Sequence, residues 1–324
     1  MQTICNNCQL TFPVVYTGEV KIAECDFCGS EQNVPESPWS PGAILGFRYK
    51  VIEIIGRGGH GYVCICRDLI DDQNCVLKIY HRAKLKPHVL ESFLLEAETA
   101  KQFIHPNIVR TYGGNVDGNV LYIVQDWICG LDLTRYERKI GQFTLNQLMY
   151  IMLRATKALK YIWENFETVH RDIKPENILL NHHGEVYLTD FGIMTKTLEK
   201  DDAEKLFCTP EYVPPETAAG IGRIDFRSDQ FSLGASFFKL IAGQHAFSGY
   251  NVENLIMKRL QWPIPHLKFY CDIPLYAADM IFKMMAKNSE DRFQEPDELI
   301  DYIEKVLNSL PPNTYIHRKE IISV

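Results

Sequence analysis

The sequence predicts an α+β protein in which a strand-rich part precedes a helix-rich part, with a small cysteine-rich module before both. Two cysteine pairs at C-x-x-C spacing within residues 1–34 indicate the module. Short apolar and β-branched runs between glycine-containing turns predict strands from Tyr49 to Val124. From Leu145 onward, apolar residues recur in helical register and predict several helices.

Composition limits the classes of partner. The 324-residue chain is 46% hydrophobic and 23% charged, which is ordinary for a globular protein. Its net charge of −7 provides no overall basic field for nucleic acid or an anionic membrane. No apolar run approaches the roughly 20 residues that span a bilayer, and residues 1–5 lack the pattern of a signal peptide. We therefore expect neither a nucleic-acid partner nor a membrane span.

The cysteines indicate a reducing compartment. Four of the ten form the C-x-x-C pairs, and the other six are scattered through apolar or mixed sequence. This usage favours metal binding over a disulfide scaffold. We therefore expect a cytoplasmic protein, whose oligomeric state the sequence does not indicate.

The cysteine module has the ligands of a tetrahedral metal site. Cys5 and Cys8 form one pair, Cys25 and Cys28 form the other, and residues 9–24 separate them. Four thiolates favour a structural Zn²⁺, whereas iron in the same ligand set and a redox-active dithiol remain alternatives. Short β-rich runs between the pairs make the module similar to a zinc ribbon. Because so few residues cannot build an adequate core, the metal would supply the folding energy.

The module has little capacity to bind nucleic acid. Residues 1–34 contain one lysine and no arginine, so docking to another protein, or to the rest of this chain, is favoured over phosphate binding. Residues 35–43 contain three prolines and predict a semi-rigid linker at a domain boundary. Within this linker, Trp39 is either packed on one neighbouring domain or a staple between module and domain.

A polar stretch in the second half of the chain suggests phosphoryl transfer. Residues 170–177 read H-R-D-I-K-P-E-N, and D-F-G follows at 190–192. Between them, residues 178–180 and 186–188 are apolar runs around a polar turn, which predicts a β-hairpin. The hairpin brings Asp172, Asn177 and Asp190 into one small volume. Transfer of a phosphoryl group to a hydroxyl needs such a set, with one group to orient the acceptor and oxygen ligands for Mg²⁺.

These motifs resemble the catalytic loop and metal-binding triplet of protein kinases. The resemblance covers residues 44–308 and implies a bilobal protein-kinase fold, with a β-rich N-lobe at 44–126, a helical C-lobe at 130–308 and a tail at 309–324. It implies that Asp172 orients the acceptor hydroxyl, that Lys174 neutralises the transferring phosphoryl group, and that Asn177 and Asp190 hold Mg²⁺ or Mn²⁺. It also implies that Thr209 contacts Asp172 and Lys174, as in serine/threonine kinases.

The glycine-rich stretch at 56–63 lies between two predicted strands. Alone, this motif also fits a dinucleotide fold or a plain hairpin, but strand, glycine turn and strand in succession is the kinase arrangement. The next strand carries Lys78 inside an apolar run, where an unpaired ammonium is costly. The resemblance implies ATP contacts from Gly56, Arg57, Gly58, Gly59, His60, Gly61, Val63, Lys78, and the backbone of Asp126 and Ile128.

A predicted helix from about Pro87 to Ile104 supplies the partner of Lys78. By the resemblance this partner is Glu96, whereas Glu98 is assigned to the solvated face. We also predict strands at Ile108–Tyr112 and Val120–Val124.

The segment from 193 to 216 has the features of a kinase activation segment. Thr195 and Thr197 are candidate sites of autophosphorylation that would dock near Arg171; alternatively, acidic residues or simple packing order the segment. The run from Cys208 to Glu216 resembles G-T-P-E-Y-x-A-P-E. The resemblance further implies that Glu216 pairs with Arg292, and that Asp229 binds the catalytic-loop backbone.

We therefore predict an ATP-dependent serine/threonine kinase that acts on proteins and autophosphorylates. The first alternative is a pseudokinase or scaffold, which the retention of Lys78, Asp172, Asn177 and Asp190 disfavours. The second is a small-molecule kinase of the aminoglycoside or choline type, and the third is a zinc-ribbon nucleic-acid protein. The substrate is not indicated.

Overall fold

The computed structural model describes residues 2–14, 22–35, 37–57, 61–81, 94–95, 97–191, 209–220 and 224–319. The chain divides into two compact units, the first comprising Met1–Ile104 with Arg110–Trp127 and the second comprising His105–Val109 with Ile128–Val324. Strands dominate the first unit and helices the second, so the predicted α+β class is confirmed.

The strands of the first unit are β1 (Gln2–Ile4), β2 (Thr11–Pro13), β3 (Ile22–Glu24), β4 (Glu31–Asn33), β5 (Ile44–Leu45), β6 (Tyr49–Arg57), β7 (Gly61–Asp68), β8 (Gln73–His81), β9 (Thr111–Asp117) and β10 (Val120–Asp126). Eight of them form one sheet of order β2-β1-β5-β6-β7-β8-β10-β9. Two strands of the cysteine module, β1 and β2, continue this sheet, because β1 pairs with β5 through Gln2 and Ile44. The other two module strands, β3 and β4, pair separately.

The central strands of this sheet have two faces, and one of them packs against the core of the unit. Cys64 of β7 and Leu77 of β8 are cross-strand partners, and both are fully buried in the core of this unit. Successive side chains along a strand point to opposite faces. Val63 and Lys78, which are also cross-strand partners, therefore lie on the other face of the sheet.

The predicted strand at Ile108–Tyr112 is wrong at its beginning. Strand β9 starts at Thr111, whereas Ile108 and Val109 belong to the second unit. There, the N–H of Val109 donates to the carbonyl of Leu188 at 2.9 Å, and Ile108 forms a parallel bridge with Leu188. The apolar pair thus satisfies its backbone groups on a hairpin of the second unit instead of extending β9.

The second unit is mainly helical. Helix α2 (Leu145–Phe166) begins with a capping box between Thr144 and Gln147, and its C-cap residue Glu167 is in the left-handed conformation. Its predicted apolar stripe is buried: Leu148, Met152, Ala155, Leu159 and Ile162. The helices are α1 (Leu133–Lys139), α2 (Leu145–Phe166), α3 (Pro215–Ala218), α4 (Phe226–Ala242), α5 (Val252–Gln261), α6 (Leu275–Met284) and α7 (Pro296–Ser309). Within the described ranges, no helix is both long and apolar enough to cross a bilayer.

Two small sheets complete this unit. Strands β11 (Gly130–Asp132), β12 (Ile178–Asn181) and β13 (Val186–Leu188) form one sheet, in which the predicted hairpin is β12 and β13. Strands β14 (Cys271–Asp272) and β15 (His317–Arg318) form the other. Through β15, the segment predicted as a tail packs on the unit, and Arg318 donates to the carbonyl of Leu240 at 2.7 Å.

The predicted pair between Glu216 and Arg292 is present and buried. The guanidinium of Arg292 donates to both carboxylate oxygens of Glu216 at 2.8 Å, and its side chain has no exposed surface. It also donates to the carbonyls of Ala286 and Arg227 at 2.8 Å. This arrangement fixes the short helix α3 to the rest of the unit.

Replacing Arg292 by Met should lower the free energy of unfolding by about 3–5 kcal/mol, because Glu216 would stay buried without its cation. Urea denaturation measures the difference. Lys157→Met is the matched control, since Lys157 pairs with Glu304 at 2.8 Å with both side chains partly exposed. That variant should lose no more than about 1 kcal/mol. Equal losses in the two variants would contradict the structural role of the buried pair.

Candidate active site

Four residues of the predicted catalytic set meet in the second unit. The amide of Asn177 donates to both the backbone carbonyl and the carboxylate of Asp172, at 2.8 Å each. The ammonium of Lys174 lies 2.8 Å from the Asp172 carboxylate and donates to the hydroxyl of Thr209 at 2.9 Å. Carboxylate, ammonium, amide and hydroxyl thus form one connected polar group.

The backbone beneath this group is anchored by one buried carboxylate. Asp229 accepts the N–H groups of His170 at 2.6 Å and Arg171 at 2.8 Å, as the sequence predicted. Burial raises the pKa of Asp229 to about 6, and the two N–H donors oppose this rise. In its ionised form, the carboxylate holds the loop through charge-assisted bonds.

The hairpin of β12 and β13 brings Asp190 near Asn177. The N–H of Thr189 donates to the carbonyl of Asn177 at 3.0 Å, and the Thr189 hydroxyl donates to the Asp190 carboxylate at 3.1 Å. Both candidate ligands of Mg²⁺ therefore lie at the open end of one hairpin. The D-F-G triplet is described only through Phe191, whose ring centroid lies 4.5 Å from that of His170.

Two residues at this site have an unusual backbone conformation that the sequence did not signal. Arg171 has φ of +70° and Asp190 has φ of +64°, which is the left-handed region. Such conformations cost about 1–3 kcal/mol for a residue other than glycine and persist only where the surroundings impose them. Glycine is the usual residue there, and Asn and Asp are enriched among the others. The residue type of Arg171 therefore gave no signal, and that of Asp190 gave only a weak one.

In the first unit, the glycine-rich stretch joins β6 to β7. Gly56 pairs with Val63, and Arg57 pairs with Tyr62, whereas residues 58–60, including Gly58, Gly59 and His60, lie outside the described residues. Gly61 is pressed against β8, because a Cβ atom there would lie 2.0 Å from the carbonyl oxygen of Ile79. Only glycine fits this position without displacing the strand.

Other predicted residues of the first unit have defined positions. Lys78 is buried, with 9% of its surface exposed, and lies opposite Val63. Its predicted partner Glu96 lies outside the described residues, although residues 97–101 are helical as predicted. Glu98 is exposed and pairs with Lys101 at 3.5 Å, consistent with a solvated face.

The segment predicted to bind adenine begins where β10 ends, at Asp126. The N–H of Asp126 donates to the carbonyl of Arg110 at 2.9 Å. Ile128, the other backbone contact predicted for adenine, belongs to the second unit, whose longer segment begins at this residue. Gln125, the residue before Asp126, is buried, and its amide N–H donates to the hydroxyl of Thr111 at 3.0 Å.

The cysteine module contains a second candidate site. The ligand sulfurs of Cys5, Cys8, Cys25 and Cys28 all lie within 4.8 Å of one another. The two C-x-x-C turns have the same backbone bonds, since Cys5 N–H donates to the Leu10 carbonyl and Cys25 N–H donates to the Ser30 carbonyl, at 2.9 and 3.0 Å. The Ser30 hydroxyl and backbone donors lower the pKa of Cys5 to about 6, whereas, against a backbone hydrogen bond from Leu10, burial and the neighbouring thiols raise the pKa of Cys8 to about 12. This cluster can therefore hold a metal ion.

The candidate regulatory threonines, Thr195 and Thr197, lie within residues 192–208, outside the described residues. Their predicted docking partner Arg171 is described and lies directly before Asp172.

Comparison with known proteins identifies similar chains. Residues 49–313 match the family model described as protein kinase domain. A probable serine/threonine-protein kinase of Clostridium acetobutylicum is 30% identical over 272 residues, 83% of this chain and 41% of that protein. Serine/threonine-protein kinase PrkC of Bacillus subtilis is 30% identical over 262 residues, 80% of this chain and 40% of that protein. Serine/threonine-protein kinase PknB of Mycobacterium tuberculosis is 29% identical over 279 residues, 83% of this chain and 44% of that protein. The chain thus spans about two fifths of these relatives' length.

Removing one thiolate from the cysteine cluster should abolish stoichiometric metal binding, because three sulfurs leave the tetrahedral set incomplete. We expect Cys25→Ser to lose its metal, as measured by elemental analysis of the purified protein. Cys129→Ser is the matched control, since Cys129 is an exposed cysteine outside the cluster. Equal metal contents in the two variants would contradict the four-cysteine site.

Proposed function

Because this chain belongs to the protein kinase family, we propose that it transfers the γ-phosphoryl group of ATP to serine and threonine hydroxyls of proteins. The observation that carries the proposal is the bonded group of Asp172, Lys174, Asn177 and Thr209. A scaffold that only binds nucleotide has no need for a carboxylate and an ammonium fixed 2.8 Å apart beside a metal-ligand pair.

Each of these groups has a distinct role in the proposed reaction. Asp172 accepts or orients the proton of the attacking hydroxyl, and Lys174 neutralises charge on the transferring group. Asn177 donates its amide N–H groups to Asp172, so its carbonyl oxygen is the atom available for a cation. We assign Asn177 and Asp190 as ligands of Mg²⁺ or Mn²⁺, which supplies electrophilic stabilisation of the phosphate oxygens when bound.

The nucleotide is assigned mainly to the first unit. The tight approach of Gly61 to β8 supports a requirement for glycine where the predicted phosphate-binding turn ends. Lys78, paired across the strands with Val63, is proposed to bind the phosphates together with the predicted partner Glu96. The full proposed ATP set is Gly56, Arg57, Gly58, Gly59, His60, Gly61, Val63, Lys78, Asp126 and Ile128.

Two observations favour serine and threonine acceptors. The bond between Lys174 and Thr209, at 2.9 Å, is the contact that the resemblance implies for this class. The relatives in Clostridium, Bacillus and Mycobacterium carry serine/threonine kinase names. The same observations disfavour a small-molecule kinase, whose acceptor would not require the segment that contains Thr209.

For the cysteine module, we propose a structural Zn²⁺ bound by Cys5, Cys8, Cys25 and Cys28. Four protein thiolates leave no open coordination position, which favours a structural over a catalytic metal and disfavours a redox-active dithiol. Docking of this module to a protein partner, and a cytoplasmic location, remain predictions. The described cysteines other than the cluster are free thiols, which is compatible with a reducing compartment.

Asp172→Asn should reduce phosphoryl transfer at least about 100-fold, because the amide cannot accept the hydroxyl proton. Transfer from labelled ATP to a protein acceptor and to the chain itself measures this loss, and titration with Mg·ATP should show unchanged nucleotide affinity. Asp272→Asn is the matched control, because Asp272 is an exposed carboxylate paired with Lys319. Full transfer activity in Asp172→Asn would refute the proposed mechanism and favour another base.

We further propose that Thr195 or Thr197 is autophosphorylated and that the phosphate pairs with Arg171. Mass spectrometry of active protein should find phosphate on one of the two, and the Asp172→Asn variant should lack it. Unmodified threonines in fully active protein would rule out this form of control.

A further inference from the structure

Trp39 connects the linker to β7, which begins where the glycine-rich turn ends, and to the neighbouring strand β8. Its ring stacks on Tyr62, with centroids 4.4 Å apart and planes at 10°, and it makes an edge contact with His81 at 4.3 Å. Tyr62 lies at the start of β7 and His81 at the end of β8. Trp39 precedes residues 49–313, which match the kinase family model.

The contact lies on the face of the sheet opposite the candidate nucleotide residues. Tyr62 and Val63 are neighbours in β7, so their side chains point to opposite faces. Val63 is paired with Lys78, whereas Tyr62 is paired with Ile79, which is buried in the core. Trp39 therefore does not share a face with Lys78, and any effect on nucleotide binding must pass through the backbone of β7.

Short-range bonds hold Trp39 in place on both sides. Residues 37–40 form a turn that contains Trp39, in which the N–H of Ser40 donates to the carbonyl of Ser37 at 3.0 Å. The hydroxyls of these two serines lie 2.7 Å apart. After it, Gly42 N–H donates to the carbonyl of Val51 in β6 at 2.9 Å. These bonds anchor the backbone on both sides of Trp39, through Ser37 and Ser40 and through Gly42 to β6.

The start of β7 is confined from a second direction. Gly61 lies directly before Tyr62, and a Cβ atom on it would approach the Ile79 carbonyl to 2.0 Å. Backbone contact with β8 therefore limits movement within the sheet, and the stacked indole limits movement out of it. Both constraints act at the residue where the glycine-rich turn ends.

We propose that Trp39 is a positioning residue for nucleotide binding, which fixes Tyr62 and thereby the end of the glycine-rich turn. The proposal rests on the proposed function, because it assumes that this turn binds ATP. Without the stack, a smaller fraction of the molecules holds the end of the turn in the conformation that binds nucleotide, and the apparent affinity falls by that fraction. A competent fraction between about a third and a tenth corresponds to about three- to tenfold weaker binding.

The test is the affinity for Mg·ATP, measured by direct titration of the whole chain. Trp39→Ala should weaken binding about three- to tenfold, whereas Trp39→Phe, which keeps an aromatic ring, should restore most of it. Where a protein acceptor is phosphorylated, the KM for ATP should rise with kcat and the acceptor KM unchanged. Gly61→Ala is the positive control, and Trp262→Ala, which removes an exposed tryptophan of the second unit, is the matched negative control.

A double-mutant cycle identifies the path of the effect. If Trp39 acts through Tyr62, then Tyr62→Leu should weaken binding by a similar factor, and the double variant should be no weaker than either single variant. Thermal unfolding checks that the variants fold; if Trp39→Ala does not, Trp39→Phe and Tyr62→Leu decide the outcome. Nucleotide affinity within twofold of wild type in folded Trp39→Ala, or additive effects, would overturn the proposal. Since binding is read without transfer, this failure is distinct from failure of the proposed kinase activity.

Discussion

The candidate active site depends on the contact between the buried Asp229 carboxylate and the backbone of the catalytic loop. Two N–H groups, from His170 and Arg171, donate to this single side chain at 2.6 and 2.8 Å. The bonds stabilise the left-handed conformation of Arg171, which is unfavourable for a residue with a Cβ atom. Asp172 follows immediately, so the direction of its carboxylate is set by the backbone that Asp229 holds.

Buried arginines fix the backbone of the segment after Thr209, as Asp229 fixes the catalytic loop. The guanidinium of Arg259 donates to the carbonyls of Glu211, at 2.6 Å, and Val213, and Arg292 holds the carboxylate of Glu216. Such charges are costly to bury unless they are hydrogen-bonded, and the acceptors of these bonds are backbone carbonyls and one carboxylate. The result is a segment of fixed backbone that leads to the Thr209 hydroxyl and the Lys174 ammonium.

The features that depend on a local sequence pattern or on the kinase resemblance could be predicted from the sequence. The hairpin of β12 and β13 and the stripe of α2 follow from alternation and helical spacing, and the Glu216–Arg292 pair follows from the kinase resemblance. Features that depend on contacts between distant parts of the chain could not be predicted in this way. The backbone of Ile108 and Val109 bonds to β13, although their apolar character suggested a continuous strand with Thr111. Likewise, the pairing of β1 with β5 joins two segments separated by a proline-rich stretch, which no local pattern encodes.

The central claim is that a rigid loop backbone, imposed by Asp229, orients Asp172 for phosphoryl transfer. The most direct measurement is the kcat for transfer from ATP to a protein acceptor in Asp229→Asn, together with the affinity for Mg·ATP. An amide accepts hydrogen bonds less strongly than a carboxylate. The account predicts a kcat at least about tenfold lower, equivalent to about 1.4 kcal/mol in the barrier, with nucleotide affinity within about twofold of wild type, because the nucleotide is assigned mainly to the first unit. An unchanged kcat in a folded Asp229→Asn protein would contradict the account.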